Sequence, residues 1–486
     1  MSEHDGQPAA IEWRRQAVAA APDSIEDEIA LAQTALQFSK INVAESALLK
    51  VGAAAEQLSV YHEVQAQLAA AKKDPVTAEK QYAEAVKLDP SNKLYQFNLA
   101  ALRLQSGSRE TREEASASLK LCLDDKNLRV AAARALREYA IQHQDLTGLL
   151  EITARLRDYP EATFHDRMSY LQVLHALDRP EFSARLTELQ SEAANDSGKM
   201  AELISWMSSN QLSFVALDWV KGLPAETTKE KAVPAAIADC YVATGDWAGL
   251  QQWCKKAAWG NIDFLRHCYL SRAMRERGDR LSAESEWNAA VQAAGSDGNR
   301  LYALEQGATK WGWKKEAMEL LWMLGKDPER QSSALATLYQ YYVEKGDTAD
   351  LYRVVARISE IKPDDPTAQN NLAQLSLLLN VNPEHAHELA EKLHQKDPTN
   401  PVFTSTYGFS LYVKGRSQQA VKVMSELKPD DLHRPAIAAY YGIFLVAAGD
   451  KSKAAEYLER GSEAPLLPEE KLLLANARNK AKTTQP

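Results

Sequence analysis

Residues 401–429, PVFTSTYGFSLYVKGRSQQAVKVMSELKP, contain two helical stretches that are separated by a glycine and followed by a proline. The next stretch, RPAIAAYYGIFLVAAGDKSKAAEYLERG at 434–461, has the same layout, and its Gly449 lies 34 residues after Gly415. Glycine adopts the left-handed backbone conformation that ends a helix without steric strain. These residues therefore predict a helix–turn–helix unit that repeats about every 34 residues.

The same turn can be followed through most of the chain at intervals of 32 to 37 residues. The turn positions are Gly245, Gly278, Gly312, Gly346, Asn380, Gly415 and Gly449, preceded by Lys40, Lys73-Asp74, Gly107, Gln144-Asp145, Asp178 and Asn210. An aspartate often follows the turn, as at Asp246 and Asp347, where its side chain can cap the next helix. The register predicts about thirteen helical hairpins in one continuous array.

The second helix of each hairpin carries a stripe of residues suited to burial. A small residue five positions after the turn is followed four positions later by a large apolar one, which is helical spacing. The small residues are Ala78, Ala216, Ala283, Ala317, Ala420 and Ala454, and the large ones are Tyr82, Cys254, Trp287, Leu321, Val355, Met424 and Leu458. Prolines then mark the ends of these helices, at 90, 160, 224, 328, 363, 398 and 429.

These residues resemble the tetratricopeptide repeat family, whose unit is a pair of helices of 34 residues with small residues where the helices cross. The resemblance spans about residues 9–467, and VYHEVQAQLAAAKKDPVTAEKQYAEAVKLDPSNK at 60–93 is a further good copy. Ala66, Gly408 and Gly442 match the small residue of the family's first helix. The resemblance implies an all-α, right-handed superhelical solenoid with a concave groove.

The two ends of the array are predicted to differ from its middle. Residues 1–24 read as an orphan second helix or as an N-terminal cap plugged by Trp13, because Pro22 lies two repeat lengths before Pro90. The continuous array covers 25–467 and is least regular at 161–210, where either a different bend or an irregular loop at 191–200 is expected. Residues 468–486 are expected to form a capping helix, with Leu472, Leu473 and Leu474 covering the last repeat, and a polar tail.

Composition and motifs argue against several classes of protein. The net charge of −9 disfavours a nucleic-acid binder, although a pentatricopeptide-like RNA reader of nearly the same period remains an alternative. No apolar run is long enough to cross a membrane, so no membrane-spanning segment is expected within the chain. The expected location is the cytoplasm, or a bacterial envelope or periplasm if an upstream anchor or signal is missing. Phosphate-loop, nucleophile-elbow and zinc-protease motifs are absent, and we predict no catalysis and no cofactor.

One residue set suggests a metal site, and its alternative is a metal-dependent enzyme. His387, Glu391 and His394 share a helical face and offer two imidazoles and a carboxylate. A solvated polar face explains them better, because no fourth ligand can be named, so no metal is predicted. Cys240, Cys254 and Cys268 are likewise interpreted as small buried hydrophobes.

Candidate binding residues follow from the resemblance, which implies that the first helix of each hairpin lines the groove. Counting back from the turns places eight candidates on that face: Arg272, Arg275, Tyr302, Gln306, Gln340, Gln374, Phe409 and Tyr412. The middle of the groove is thus polar and locally basic, and its C-terminal end is apolar. Trp311 and Trp313 flank a turn and are additional candidates for surface contacts.

The sequence therefore predicts a non-enzymatic protein-interaction scaffold. It would bind a peptide or a partner's helix in the groove, with a preference for acidic segments because of Arg272 and Arg275, and it would serve the assembly of a larger complex. Partner identity and oligomeric state do not follow from the residues.

Overall fold

The computed structural model of the chain describes residues 6–105, 108–230 and 232–482, and within those ranges the regular secondary structure is entirely helical. The helices form two compact units, Met1–Gly245 (unit 1) and Asp246–Pro486 (unit 2). Each unit is an array of helical hairpins, as predicted. The continuity of the array from one unit to the next, its right-handed superhelix and the number of thirteen hairpins stay predictions.

Unit 1 contains the first fourteen of the described α-helices. They are α1 Gly6–Ala20, α2 Ile25–Gln37, α3 Ile41–Val51, α4 Ser59–Ala71, α5 Pro75–Leu88, α6 Lys93–Arg103, α7 Arg109–Leu121, α8 Arg129–Gln142, α9 Leu146–Arg157, α10 Phe164–Ala176, α11 Phe182–Ala193, α12 Ser197–Ser209, α13 Ser213–Lys221 and α14 Val233–Thr244.

Unit 2 contains the remaining described helices. They are α15 Trp247–Lys256, α16 Asp263–Glu276, α17 Arg280–Ala294, α18 Gly298–Lys310, α19 Lys314–Leu324, α20 Gln331–Lys345, α21 Thr348–Ile361, α22 Pro366–Leu378, α23 Pro383–Lys396, α24 Pro401–Val413, α25 Ser417–Ser425, α26 Pro429–Leu432, α27 Pro435–Ala448, α28 Lys451–Gly461 and α29 Pro468–Lys482.

Backbone geometry confirms the turn register. The angle φ is positive, between 54° and 95°, at Gly245, Gly278, Gly312, Gly346, Asn380, Gly415 and Gly449. The predicted caps also form, since Asp246 accepts a hydrogen bond from the Gly249 amide at 2.8 Å and Asp347 accepts one from the Asp350 amide at 3.1 Å. The turn residue and the cap together end one helix and begin the next, which fixes the period.

At two turns the sequence pattern indicates a residue next to the one that has the left-handed conformation in the structure. The left-handed residue is Ser39 rather than Lys40, and Gln211 rather than Asn210. Asn210 instead closes α12, where its side-chain amide donates to the Trp206 carbonyl at 2.8 Å. The predicted turn at Gly107 lies outside the described residues.

The stripe on the second helices is buried as predicted. All six alanines of the stripe are at most 2% exposed, and the large residues from Tyr82 to Leu458 are at most 8% exposed. Close crossings explain the small residues of the first helices, because a Cβ at Gly442 would lie 2.9 Å from the Leu458 amide nitrogen. At Gly408 it would lie 3.0 Å from the Phe444 ring.

Ion pairs join successive first helices in unit 1. Arg129 of α8 reaches Glu161 ahead of α10 at 2.7 Å, and Arg134 binds Asp166 at 2.6 Å. Both pairs span 32 residues, which is about one repeat. Asp166 is 1% exposed and also accepts from the Thr163 amide. Although burial alone raises the pKa of Asp166, hydrogen bonds from Arg134 and Thr163 outweigh it and hold the pKa at about 2.

The N-terminal helix packs on its neighbour without using its tryptophan. Ile11 of α1 is 8% exposed and joins the cluster that contains Ile29 and Leu31 of α2. Trp13 is 75% exposed, so the prediction that it plugs the end of the array is wrong. Ile11 lies on the face toward α2 and Trp13, two positions later, does not, because successive helical residues differ by about 100°.

Residues 161–210, the stretch predicted to be least regular, form α10, α11 and α12. Only residues 194–196 separate the last two helices. Within the expected loop region 191–200, Asp196 caps α12 by accepting from the Gly198 and Lys199 amides at 2.9 and 3.1 Å.

Candidate functional site

The eight candidate residues lie on first helices of unit 2, and they separate into three groups with different surroundings. Arg272 and Arg275 are on α16, Tyr302 and Gln306 on α18, Gln340 on α20, Gln374 on α22, and Phe409 and Tyr412 on α24. Tyr302, Gln306 and Gln340 are exposed, Arg272, Arg275, Gln374 and Tyr412 are half-buried, and Phe409 is buried.

The two arginines belong to a cluster with three tryptophans. The guanidinium carbon of Arg272 lies 5.3 Å from the Trp247 ring, 5.5 Å from Trp311 and 5.8 Å from Trp313. That of Arg275 lies 3.8 Å from the Trp313 ring. A cation over the face of an indole is attracted by the ring quadrupole, so these contacts hold the arginines against the surface of their own unit.

Each arginine also has a carboxylate partner within the chain. Arg272 pairs with Glu276 at 2.9 Å, and Arg275 pairs with Glu316 at 2.7 Å. Their side chains are 18% and 31% exposed. The expected preference for an acidic ligand therefore has no support from these two residues, whose charges are already compensated.

Of the two tryptophans predicted as surface contacts, Trp313 is a core residue. It is 6% exposed, lies 5.5 Å from Trp287 and is covered by Arg275. Trp311 is half-buried, and its ring lies 5.0 Å from Trp313. A residue next to a turn is normally exposed, but here the guanidinium groups of α16 close over both rings.

Tyr302, Gln306 and Gln340, together with Val343, form an exposed surface on α18 and α20 that we call the open face. Tyr302 is 47% exposed and Val343 39% exposed, and both glutamines are exposed. The Gln306 amide donates to Glu305 at 2.7 Å and the Gln340 amide donates to Glu344 at 2.8 Å. Each amide thus uses one hydrogen and retains its carbonyl oxygen as an acceptor.

A cavity of about 450 Å³ adjoins the open face at the turn end of the helices. Thr309, Met318, Tyr341 and Lys345 are among its lining residues. Ligand cavities typically measure about 300–1,000 Å³ and are largely apolar with a few polar groups. This one is large enough to accept a side chain from a segment that lies along α18 and α20.

Gln374, Phe409 and Tyr412 form the third group, which we call the closed sector together with Tyr440 of α27. Phe409 is 2% exposed, and its ring lies 5.0 Å from Tyr440 and 6.2 Å from Tyr412. Gln374 donates to the Tyr440 hydroxyl at 3.1 Å. Phe409 is therefore part of the core in this conformation and is not accessible to a ligand.

The C-terminal segment covers the closed sector. Residues from Pro468 onward form α29, and Leu466, Leu474 and Ala477 are buried in the cluster that contains Phe409 and Tyr440. Leu472 is 62% exposed, so only part of the predicted leucine contact is correct. The predicted polar tail at 483–486 lies outside the described residues.

Two functional groups of this sector were missed at the sequence level, the Tyr440 hydroxyl and Glu470. Tyr440 donates to Glu470 at 2.5 Å, and Gln374 donates to the same carboxylate oxygen at 3.0 Å. Burial and the nearby Glu470 raise the pKa of Tyr440 well above its usual value, so its hydroxyl keeps the proton. The sequence shows Glu470 only as an acidic residue in a first helical turn, which is its commonest role.

The three residues considered as metal ligands, His387, Glu391 and His394, contact side chains of the neighbouring helix α24. His387 is 8% exposed, with Nδ1 2.8 Å from the Ser410 hydroxyl, and His394 stacks on Tyr407 with ring centroids 5.0 Å apart. The Tyr407 hydroxyl donates to Glu391 at 3.2 Å. Burial lowers the pKa of both histidines. Across the described ranges no group of three or more His, Cys, Asp or Glu side chains is placed to hold a metal ion.

The cysteines are buried thiols, as interpreted from the sequence. Cys122, Cys240, Cys254 and Cys268 are buried, and none of these four described thiols forms a disulfide. Burial raises the pKa of Cys240 to about 11 and that of Cys254 to about 12. Thiolates are the reactive form, so these groups are packing residues rather than nucleophiles.

Among the residues that the structure describes, no helix is both long and apolar enough to span a bilayer. No protein-family model matches the chain, and no curated protein matches it.

Three solved structures resemble the chain at low identity. A tetratricopeptide repeat protein from Parabacteroides merdae is 17% identical, with a TM-score of 0.26, over 50% of this chain and 96% of that one. A structure of Naa15/Naa10 bound to HypK-THB is 13% identical, with a TM-score of 0.31, over 93% of this chain and 70% of that one. The structure of yeast Tom70 is 11% identical, with a TM-score of 0.24, over 95% of this chain and 96% of that one.

Because these identities and TM-scores are low, the fold is assigned from the chain's own helices and turns. The left-handed turn residues recur at the predicted period, the small residues lie at close helix crossings, and a stripe of the second helices is buried. In its fold the described part of the chain is an all-α array of helical hairpins.

Proposed function

We propose that the chain is a non-enzymatic protein-interaction scaffold that binds a peptide or a partner's helix across the open face of unit 2. The observation that carries this proposal is the exposure of Tyr302, Gln306, Gln340 and Val343 on two neighbouring first helices. Hairpins stacked in this way present a continuous row of helices to a ligand, and the row can take an extended segment or a helix.

The exposed groups define the chemistry of the ligand. A glutamine amide both donates and accepts, so Gln306 and Gln340 can bind the peptide groups of a partner's main chain. Tyr302 supplies a large contact surface with a polar tip, which is the kind of residue enriched at protein interfaces. The adjoining cavity accepts one side chain, and its lining residues Met318 and Tyr341 favour an apolar one. We accordingly infer a ligand read through its backbone and one apolar anchor, without a requirement for acidic residues.

Assembly of a larger complex is the role that fits such a surface best. Binding through main-chain groups and a single anchor gives modest selectivity per site, and a repeat array gains affinity by engaging a long segment.

Photocrosslinking in an extract of the source organism tests the proposal. The photoreactive amino acid p-benzoylphenylalanine replaces Tyr302 on the open face, and in a control chain it replaces Leu281, which is 84% exposed on α17. We expect a protein partner to be captured at position 302 and not at 281. Adding Gln306→Arg and Gln340→Arg should abolish that capture. Equal capture at both positions, or capture that survives the two arginines, would exclude the open face as the binding site.

A further inference from the structure

Residues 466–477 lie on the closed sector in the way a bound ligand would. Pro468 lies against Gly346 at the end of α20, since a Cβ on that glycine would be 3.2 Å from the proline ring, and Glu469 accepts a hydrogen bond from Thr348. Glu470 then reaches Gln374 and Tyr440. We propose that the closed sector is a second docking site, specific for a partner helix that begins with two leucines and an acidic turn, and that the chain's own residues 466–477 occupy it in the partner's absence.

The site recognises a carboxylate through neutral donors. Both oxygens of Glu470 are engaged, Oε1 by the Tyr440 hydroxyl and the Gln374 amide, and Oε2 by the Leu467 amide at 2.8 Å. Glu470 is 7% exposed and makes no ion pair among the described residues. A buried carboxylate is tolerated only when its hydrogen bonds are satisfied, so the two donors from the groove, Tyr440 and Gln374, are matched to an acidic group at this position.

Apolar contacts around the carboxylate set the spacing of the ligand. Leu466 and Leu474 are buried with Phe409 and Tyr440, at 8% and 5% exposure. Leu467 packs against the cluster that contains Leu375 of α22. The matching partner therefore carries two leucines three or four residues before the acidic residue and another apolar residue four residues after it, which is one face of a helix and its lead-in.

The internal segment is held on one side only, which makes it displaceable. Lys471, Leu472, Ala475 and Arg478 of α29 are exposed, and a helix with one side in solvent opens locally with less free energy than a core helix. A short tether to α28 gives the segment an effective concentration on the order of millimolar. A competitor with the same contacts alone would therefore bind poorly to the native chain.

The open face lies next to the start of α29 and can supply the additional affinity that a competing partner needs. Gly346, which Pro468 touches, follows directly on α20, the helix that carries Gln340 and Val343. A partner that lies along the open face thus reaches the start of α29, where Pro468 lies against Gly346. The inference rests on the proposed function in this respect, since the additional affinity comes from the open face.

The test uses the full chain and a fluorescent peptide with the sequence of residues 464–482. Glu470→Lys with Leu467→Ala weakens the internal segment and leaves the closed sector intact, and Glu463→Lys with Leu472→Ala makes the same chemical changes at exposed positions as the control. We expect the first chain to bind the peptide at least about tenfold more tightly than the native and control chains, because the tethered competitor is removed. Adding Tyr440→Phe should weaken that binding about tenfold, since a hydrogen bond to a charged group is lost.

Hydrogen exchange separates release of the segment from unfolding. In the weakened chain, amide protection should fall in α29 and stay native in α16–α20. If α29 opens and the peptide binds no better, or if Tyr440→Phe has no effect, the sector does not recognise this chemistry. If α29 keeps its protection, the segment is a fixed cap and the proposal is wrong. Neither result affects crosslinking at position 302, which tests the open face independently.

Discussion

Replacing Arg275 by alanine should loosen the tryptophan cluster of unit 2. The guanidinium lies 3.8 Å from the Trp313 ring and pairs at 2.7 Å with Glu316, whose side chain is 16% exposed. The cation–π contact of a partly buried arginine contributes about 1 kcal/mol, and a partly exposed ion pair contributes up to about 1 kcal/mol. The substitution should therefore lower the local free energy of opening by about 2 kcal/mol, or about 30-fold in the opening equilibrium.

Hydrogen exchange of peptides from α16 and α19 measures this effect better than a global unfolding curve, because long repeat arrays do not unfold in a single cooperative step. Arg280→Ala is the matched control, since it removes the same charge from an exposed position at the start of α17. Its effect should stay within about 0.5 kcal/mol. A double-mutant cycle with Glu316→Gln isolates the ion pair.

The outcome decides between two roles for the arginine. If Arg275→Ala opens α16 and α19 no more than Arg280→Ala does, the guanidinium is not holding the tryptophans, and the assignment of its charge to Glu316 is wrong. In that case the expectation from the sequence, that Arg275 is available to an acidic ligand, would again be supported. Under the structure described above, a substitution at this position reports on stability before it reports on binding.

Three further predictions concern other parts of the chain. Because hydrogen bonds from Arg134 hold the pKa of Asp166 at about 2 in the folded state, below the unfolded value of about 3.9, the stability they contribute is present above pH 4. Hydrogen-exchange protection of α8 and α10 should be constant from pH 7 to 5 and fall as the pH drops from about 4 to 2; constant protection to pH 2 would contradict the pairing. Cys254, with a pKa raised to about 12 by burial, should resist iodoacetamide in the native chain and react after denaturation, as measured by mass spectrometry. Gly442→Ala places a Cβ 2.9 Å from the Leu458 amide and should destabilise the α27–α28 crossing by about 1–3 kcal/mol, whereas unchanged exchange in those helices would show that the crossing can widen.

Local chemistry explains why the helices and turns could be predicted. A left-handed glycine, a capping aspartate and a small residue at a crossing each act within a few residues, so the period is visible in the sequence and recurs in the structure. The errors at Ser39 and Gln211 arise where the left-handed residue is neither Gly nor Asn. At these two turns the position of the helix end depends on the conformation of the whole turn, and no single residue type indicates that position.

Which side chains of a first helix remain accessible depends on residues far away in the sequence. Counting positions from the turn gave Tyr302, Gln306 and Gln340, which are exposed on α18 and α20 although the Arg330 guanidinium lies 5.4 Å from the Tyr302 ring. The same count gave Gln374, which Glu470 binds from 96 residues away, and Phe409, which is 2% exposed and lies against Tyr440 of α27. Periodicity specifies the face of a helix but not what lies against that face.

The amino-acid sequence by itself determined the all-helical hairpin repeat, its period and its buried stripe, because these depend on backbone conformation and on contacts between neighbouring helices. Only the tertiary structure decided the state of the candidate site. Arg275 is paired with Glu316 of α19, both arginines lie against tryptophans outside their own helix, and Glu470 is buried against Tyr440 and Gln374. The charge available to a ligand is a property of which groups meet in space, and helical periodicity does not encode those meetings.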